Sequence, residues 1–113
     1  TGLITEGSEV YSFGMVLLEL LTGAPPAVQK PDRPNEFFYL VDHLHGSTTK
    51  VYEMLDSSAN FPPNVSRALT ELSFSCIRSR VDDRPAFLRL VDTLRRLLAS
   101  LQGSATTASR GHP

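Results

Sequence analysis

The sequence predicts an all-α fold in one small domain. In four segments of the chain, apolar residues recur at the three- and four-residue spacing of an amphipathic helix. No segment alternates apolar and polar residues in the way that predicts a half-buried strand. The chain has 113 residues, which is enough for a single hydrophobic core. We therefore expect helices packed around one core.

The first helix is predicted from about Ser8 to Thr22. Thr5 and Ser8 offer oxygens that can cap its start, and Gly23 is suited to end it. A helix that is apolar nearly all round needs protein on every side. We expect the later residues to cover only part of it, which predicts an exposed apolar patch or self-association. The apolar positions are Val10, Phe13, Met15, Val16, Leu17, Leu18, Leu20 and Leu21.

The middle of the chain is predicted to hold a loop and two short helical segments. Residues 24–34 contain four prolines, so we expect a surface loop there. A second helix is predicted over 35–45, with Asn35 as its cap. Residues 50–55 have helical spacing and predict a further short helix.

Two longer helices are predicted in the second half of the chain. The third begins at the Asn64 cap, and the fourth has Pro85 in its first turn, where proline is tolerated. Residues 102–113 are rich in small residues without periodicity and predict a disordered tail. The apolar stripe predicted for the fourth helix is Leu88, Val91, Leu94, Leu98 and Leu101.

Charge and cysteine content exclude several classes of function. Eleven basic and twelve acidic residues give a formal net charge of −1, which argues against nucleic acid or an anionic membrane as the main partner. Cys76 is the only cysteine, so an internal disulfide and a cysteine-based zinc site are excluded. Its helical face is apolar and predicts a core position. His43 and His45 lie two residues apart on different helical faces, so no shared metal is expected.

Two separated segments of the chain match the sequence pattern of one enzyme family. The first comprises Thr1–Thr5 (TGLIT), Ser8–Gly14 (SEVYSFG) and Leu17–Gly23 (LLELLTG), and the second is Cys76 followed by Asp83–Pro85 (DRP). The first resembles the stretch of protein kinases that follows the activation segment. The second resembles a segment near the end of the same domain. Tyrosine-kinase-like and receptor-like Ser/Thr kinases are the most similar group, and two motifs in the family's order are a specific signal.

The resemblance implies that residues 1–101 are the end of a kinase C-terminal lobe, comprising the F, G, H and I helices of the family. It implies a parent protein that transfers the ATP γ-phosphate to protein Ser or Thr, with Mg-ATP as its cofactor. The glycine-rich loop, the catalytic-loop Asp and Asn and the DFG motif are absent from this sequence. We therefore expect no catalytic, cofactor-binding or metal-binding residue here, and Ser12-Phe13-Gly14 is not a DFG motif.

Two residues resemble structural anchors of the family. Glu9 corresponds to an Asp that accepts hydrogen bonds from the catalytic-loop backbone, and the alternative is a plain carboxylate at a helix N-terminus. Arg84 corresponds to an Arg that pairs with a Glu at the end of the activation segment, upstream of Thr1. Its alternative is an exposed Arg neutralised by Asp82 or Asp83.

A possible partner surface is predicted at Phe37, Phe38 and Tyr39, because G helices of the family often dock substrates or regulators. The alternative is that both phenylalanines pack into the lobe and only Tyr39 is exposed. The expected partners are the rest of the kinase domain and a protein substrate or regulator. We expect a cytoplasmic location, or the cytoplasmic part of a receptor-like parent.

A second functional class stays open at this point. The chain could be a non-catalytic, kinase-derived helical interaction module of the pseudokinase type. The sequence upstream of Thr1 distinguishes the two, because an active parent needs H-R-D and DFG motifs there.

Overall fold

The computed structural model describes residues 5–110, and the side chains of residues 5–103. The predominantly helical fold that the sequence predicts is confirmed, with one β-hairpin inserted between the first two helices. Two short 3₁₀ turns, Ser57–Ala59 and Val81–Asp83, lie in the connections on either side of the fourth helix. The elements are α1 (Glu6–Thr22), β1 (Ala27–Lys30), β2 (Arg33–Tyr39), α2 (Leu40–Leu44), α3 (Thr48–Glu53), α4 (Pro63–Cys76) and α5 (Phe87–Arg110).

Helix α1 has the two caps that the sequence predicts. The Thr5 side chain accepts a hydrogen bond from the backbone N–H of Ser8 at 3.1 Å, and Ser8 Oγ accepts one from the Thr5 N–H at 3.0 Å. This reciprocal capping box starts the helix at Glu6, two residues before the predicted start. Gly23 ends the helix in the left-handed conformation, with φ of 67°.

The core is built around α1, which packs closely against α4. A methyl group on Gly14 would lie 2.6 Å from Cys76 Cβ, so the two helix backbones approach as only a glycine allows. Cys76 is fully buried at this contact, as its apolar helical face predicts. Two apolar clusters lie along α1. One comprises Val10, Leu17, Leu72, Cys76 and Leu90, and the other comprises Leu18, Leu21, Leu40, Leu44 and Val51.

The β-hairpin corrects the prediction of a loop over 24–34 and a helix over 35–45. Strands β1 and β2 pair antiparallel, with Val28 opposite Phe38 and Gln29 opposite Phe37. A register shift follows Gln29. Aromatic residues favour strands, and the pairing with β1 selects the strand over the helix that their apolar spacing also fits. The helical part is therefore confined to α2, which begins at Leu40.

Helix α5 is present, but its buried face differs from the predicted stripe. Leu90 is 4% exposed, whereas Leu88 is 85% exposed. The side of α5 that faces the core is formed by Leu90, Leu94, Leu97 and Leu101. These residues repeat with helical spacing, as the predicted stripe does, and two of them, Leu94 and Leu101, also belong to that stripe.

The two ends of α5 also differ from the prediction. The helix begins at Phe87, so Pro85 precedes it and does not occupy its first turn. It extends to Arg110 and thus includes residues 102–110, for which the sequence predicts a disordered tail. Residues 111–113 of that tail lie outside the described residues. The domain boundary after residue 101 stays a prediction.

Candidate functional site

Arg84 connects the start of α1 to the segment between α4 and α5. Its Nη1 donates a hydrogen bond to the carbonyl oxygen of Gly7 at 3.0 Å, and its Nε donates to the carbonyl oxygen of Arg78 at 2.8 Å. The guanidinium carbon lies 4.9 Å from the centroid of the Tyr11 ring, a cation–π distance. Within the described part of the chain Arg84 forms no salt bridge, so neutralisation by Asp82 or Asp83 is not found.

Two further contacts complete this junction. Glu6 Oε1 accepts a hydrogen bond from the Phe87 N–H at 2.9 Å and so supplies the N-terminus of α5 with an acceptor. Gly7 lies so close to Val81 that an added methyl group would collide with its side chain. We call the group formed by Glu6, Gly7, Tyr11, Arg84 and Phe87 the α1–α5 junction. It fixes the orientation of α5 relative to α1.

Sequence reasoning found Arg84 but missed Glu6, Gly7 and Tyr11. One signal was available, because Pro85 and Ala86 give the start of α5 no capping side chain. Such a helix needs an acceptor from elsewhere in the fold. The sequence could not show that Glu6 supplies it.

Glu9 lies on a side of α1 that the rest of the described chain leaves uncovered. It is exposed, and none of the hydrogen bonds found among the described residues involves its carboxylate. Val16 is 49% exposed and Leu20 is 63% exposed on the same side. We call Glu9, Ser12, Val16 and Leu20 the α1 stripe, since their spacing places them on one face. The anchoring role of Glu9 stays a prediction.

The predicted partner surface lies on strand β2. Phe37, Phe38 and Tyr39 are 43%, 59% and 52% exposed, so the two phenylalanines do not pack into the core. The Phe37 and Tyr39 rings are 6.4 Å apart between centroids. Lys30 Nζ lies 5.1 Å from the Phe38 centroid and 3.2 Å from Glu36 Oε2. The hairpin thus presents aromatic side chains on both of its faces.

Cys76 and the two neighbouring histidines lie in different environments in the described chain. Burial raises the pKa of the Cys76 thiol, which disfavours the nucleophilic thiolate. His43 and His45 are exposed, and no group of three His, Cys, Asp or Glu side chains in the described residues could hold a metal ion. Between residues 5 and 110, no helix is both long and apolar enough to cross a membrane.

Comparison with known families identifies the fold. Residues 1–94 match the sequence model of a family described as protein tyrosine and serine/threonine kinase. The chain belongs to this protein kinase family. The two motifs that resembled kinases in sequence meet in space, because Arg84 of the second motif binds Gly7 and Tyr11 at the start of the first helix.

The relatives found include plant kinases from Arabidopsis thaliana. A probable protein kinase is 36% identical over 102 residues, covering 88% of this chain and 28% of that protein. PTI1-like tyrosine-protein kinase 1 is 34% identical over 100 residues, covering 87% of this chain and 28% of that protein. Probable serine/threonine-protein kinase PBL16 is 34% identical over 103 residues, covering 88% of this chain and 25% of that protein. The chain thus spans about a quarter of the length of these kinases and is a C-lobe segment of a kinase domain.

The residues of this segment do not fit Mg-ATP. The sequence contains no glycine-rich phosphate loop. It also contains neither the DFG Asp nor the catalytic-loop Asn, which hold the metal ions in protein kinases.

Proposed function

We propose that this segment is the scaffold beneath the catalytic loop of a kinase whose parent protein transfers the γ-phosphoryl group of Mg-ATP to Ser or Thr of a protein substrate. The nucleotide and metal sites belong to residues of the parent outside this sequence. A cytoplasmic location is part of the proposal, since the family includes receptor-like kinases that carry the domain on the cytoplasmic side.

The α1 stripe is the observation that supports this scaffold role. Helix α1 is buried on the sides that face α4 and α2, while Val16 and Leu20 remain about half exposed or more. An apolar stripe beside the Glu9 carboxylate provides both a packing surface and a hydrogen-bond acceptor. A catalytic loop lying on it would be held by burial along the stripe and by its own N–H groups at Glu9.

The test uses the longer parent protein and the transfer of labelled phosphate from Mg-ATP to a protein substrate. Leu20→Glu should lower kcat about tenfold or more, because it misplaces the catalytic loop. Leu88→Glu is the matched control: it makes the same change at a site on α5 that is 85% exposed, and it should leave kcat unchanged. Equal effects of the two variants would refute the scaffold role. A parent without any transfer would favour the non-catalytic interaction module.

The aromatic hairpin is the proposed substrate-facing surface. Its three exposed aromatic side chains offer apolar area for a protein substrate, and the paired strands hold them in place. Phe38→Ala should raise KM for the protein substrate and leave KM for ATP unchanged. Leu98→Ala removes a similarly exposed apolar side chain on α5 and serves as the control. A shift in kcat alone would contradict a docking role.

A further inference from the structure

A groove separates the end of α2 from the connector that follows α4. Its volume is about 540 Å³, which is in the usual range for binding pockets. His45, in the left-handed conformation with φ of 48°, ends α2 and forms one wall. The opposite wall is the connector over 78–83, held by the hydrogen bond from Arg78 Nη1 to the Asp83 carbonyl oxygen at 3.2 Å. The groove is therefore built by structured backbone on both sides.

The floor and the rim of the groove differ in chemistry. The floor is apolar and consists of the half-buried side chains of Val41, Phe74 and Ile77. The rim includes Arg78 and Arg80, both exposed, and neither forms a salt bridge within the described part of the chain. Asp83 is the only acidic side chain lining the groove, so the rim has an excess of positive charge.

We propose that this groove docks an acidic peptide segment of a partner protein. One apolar side chain of the peptide lies on the floor, and neighbouring Asp or Glu side chains pair with Arg78 and Arg80. Apolar burial supplies affinity, while the two arginines select acidic sequences and fix their position on the rim. The groove shares no residue with the aromatic hairpin or the α1 stripe, so it is a separate surface from both.

The test measures fluorescence anisotropy of dye-labelled peptides with the 113-residue chain. The first peptide contains one Leu flanked by Glu residues, the second replaces the Leu by Ser, and the third replaces each Glu by Gln. The first should bind about fivefold or more tightly than either of the others, because each change removes one of the two contributions. Its affinity should fall as the ionic strength rises from about 0.05 M to about 0.5 M.

Charge reversal at the rim locates the binding. Arg80→Glu should weaken binding of the first peptide about fivefold or more, because it replaces an attraction with a repulsion. Arg67→Glu makes the same change at an exposed arginine of α4 outside the groove and should leave binding unchanged. Circular dichroism verifies that both variants are folded.

Three results would overturn the proposal. The first is equal binding of the Leu and Ser peptides, because the floor would then contribute nothing. The second is equal loss of binding in the two arginine variants. The third is that none of the peptides binds, whereas vesicles of anionic phospholipid do bind and Arg80→Glu weakens that binding. This result would show that the basic rim contacts a membrane surface.

Discussion

Replacing Arg84 by alanine should destabilise the isolated 113-residue chain by about 2–3 kcal/mol. A surface arginine in an exposed ion pair contributes only about 0.2–1 kcal/mol. The larger value follows from the three partners of Arg84, which lie on two different parts of the chain, α1 and the connector after α4. The guanidinium contacts the Gly7 carbonyl, the Arg78 carbonyl and the Tyr11 ring.

The magnitude is the sum of these contacts. Hydrogen bonds from a charged donor are worth about 1.5–3 kcal/mol each when well shielded, and about 1 kcal/mol each is appropriate for a half-buried group such as this one. A cation–π contact at a largely hydrated site adds about 0.5–1 kcal/mol. The total of about 2–3 kcal/mol corresponds to a decrease in Tm of roughly 10 °C for a domain of this size.

Urea unfolding followed by far-UV circular dichroism measures this change. Arg89→Ala is the matched control, because Arg89 is an exposed arginine of the same region for which the described residues show no salt bridge. A double-mutant cycle with Tyr11→Leu isolates the cation–π contact and should give a coupling of about 0.5–1 kcal/mol. Arg84→Lys should recover only part of the loss, since lysine lacks the planar fork that reaches two carbonyls.

A difference of less than about 0.5 kcal/mol between Arg84→Ala and Arg89→Ala would refute this reasoning. It would mean that water replaces the guanidinium at both carbonyls without cost. Arg84 would then act only through a residue upstream of Thr1, as the resemblance to the kinase family implies.

Three further predictions use the same unfolding assay. Gly14→Val should lower the free energy of unfolding by about 2–3 kcal/mol, because α4 leaves no room for a side chain there, while Ser12→Val on the exposed face should change it little. Glu6→Ala should cost about 1 kcal/mol by removing the acceptor for the first N–H of α5, and Glu6→Gln should restore most of it. Hydrogen bonds from the hydroxyl and the N–H of Ser58 lower the pKa of Asp56 in the folded chain. The ionised Asp56 therefore stabilises the fold at any pH above its pKa in the unfolded chain. This stabilisation is lost as the pH falls through its lower pKa in the folded chain. In the Asp56→Asn variant, the free energy of unfolding should therefore decrease less as the pH is lowered.

Local signals in the sequence were sufficient for α1. Thr5, Ser8 and Gly23 place both of its ends to within two residues, and these deciding groups lie within four residues of the helix ends. The predicted Asn64 cap of α4 is wrong, because the helix begins at Pro63 and Asn64 lies inside its first turn. Pro62 occupies the cap position without a side-chain hydrogen bond, and Pro63 fits the first turn.

The hairpin and the buried face of α5 could not be predicted from local sequence signals in the same way. The aromatic residues of β2 fit a helical spacing as well as a strand, and the pairing with β1 decides between them. In α5, Leu88 and Leu90 each begin a stripe with helical spacing. The choice between these stripes depends on where α1 and α4 lie, which is a tertiary contact.

The α1–α5 junction depends on contacts between residues far apart in sequence. The hydrogen bond from Arg84 to Gly7 spans 77 residues, and the bond from the Phe87 N–H to Glu6 spans 81 residues. No local pattern specifies such pairs. Only the kinase resemblance indicated that Arg84 has a structural role, and it indicated a different partner.

The α1 stripe gives the last prediction, which concerns the state of the isolated chain. The exposed patch that the sequence predicts is present at Val16 and Leu20, which are 49% and 63% exposed. Complete burial of a large aliphatic side chain contributes about 1.5–3 kcal/mol, so covering the exposed parts of both would contribute about 2–3 kcal/mol.

A symmetric dimer would cover the stripes of both chains and gain about 4–6 kcal/mol. Association of two separate chains costs about 4–15 kcal/mol in lost freedom, so the remainder falls far short of the roughly 8 kcal/mol that a dimer at micromolar concentration needs. The catalytic loop of the proposed parent would belong to the same chain, would not pay this cost and could therefore cover the stripe. We therefore predict that light scattering finds a monomer at micromolar concentration and that Leu20→Glu leaves its free energy of unfolding nearly unchanged. The same variant should destabilise the longer parent by about 2 kcal/mol or more. A dimer that Leu20→Glu dissociates would show instead that the stripe is an interface between copies of this chain.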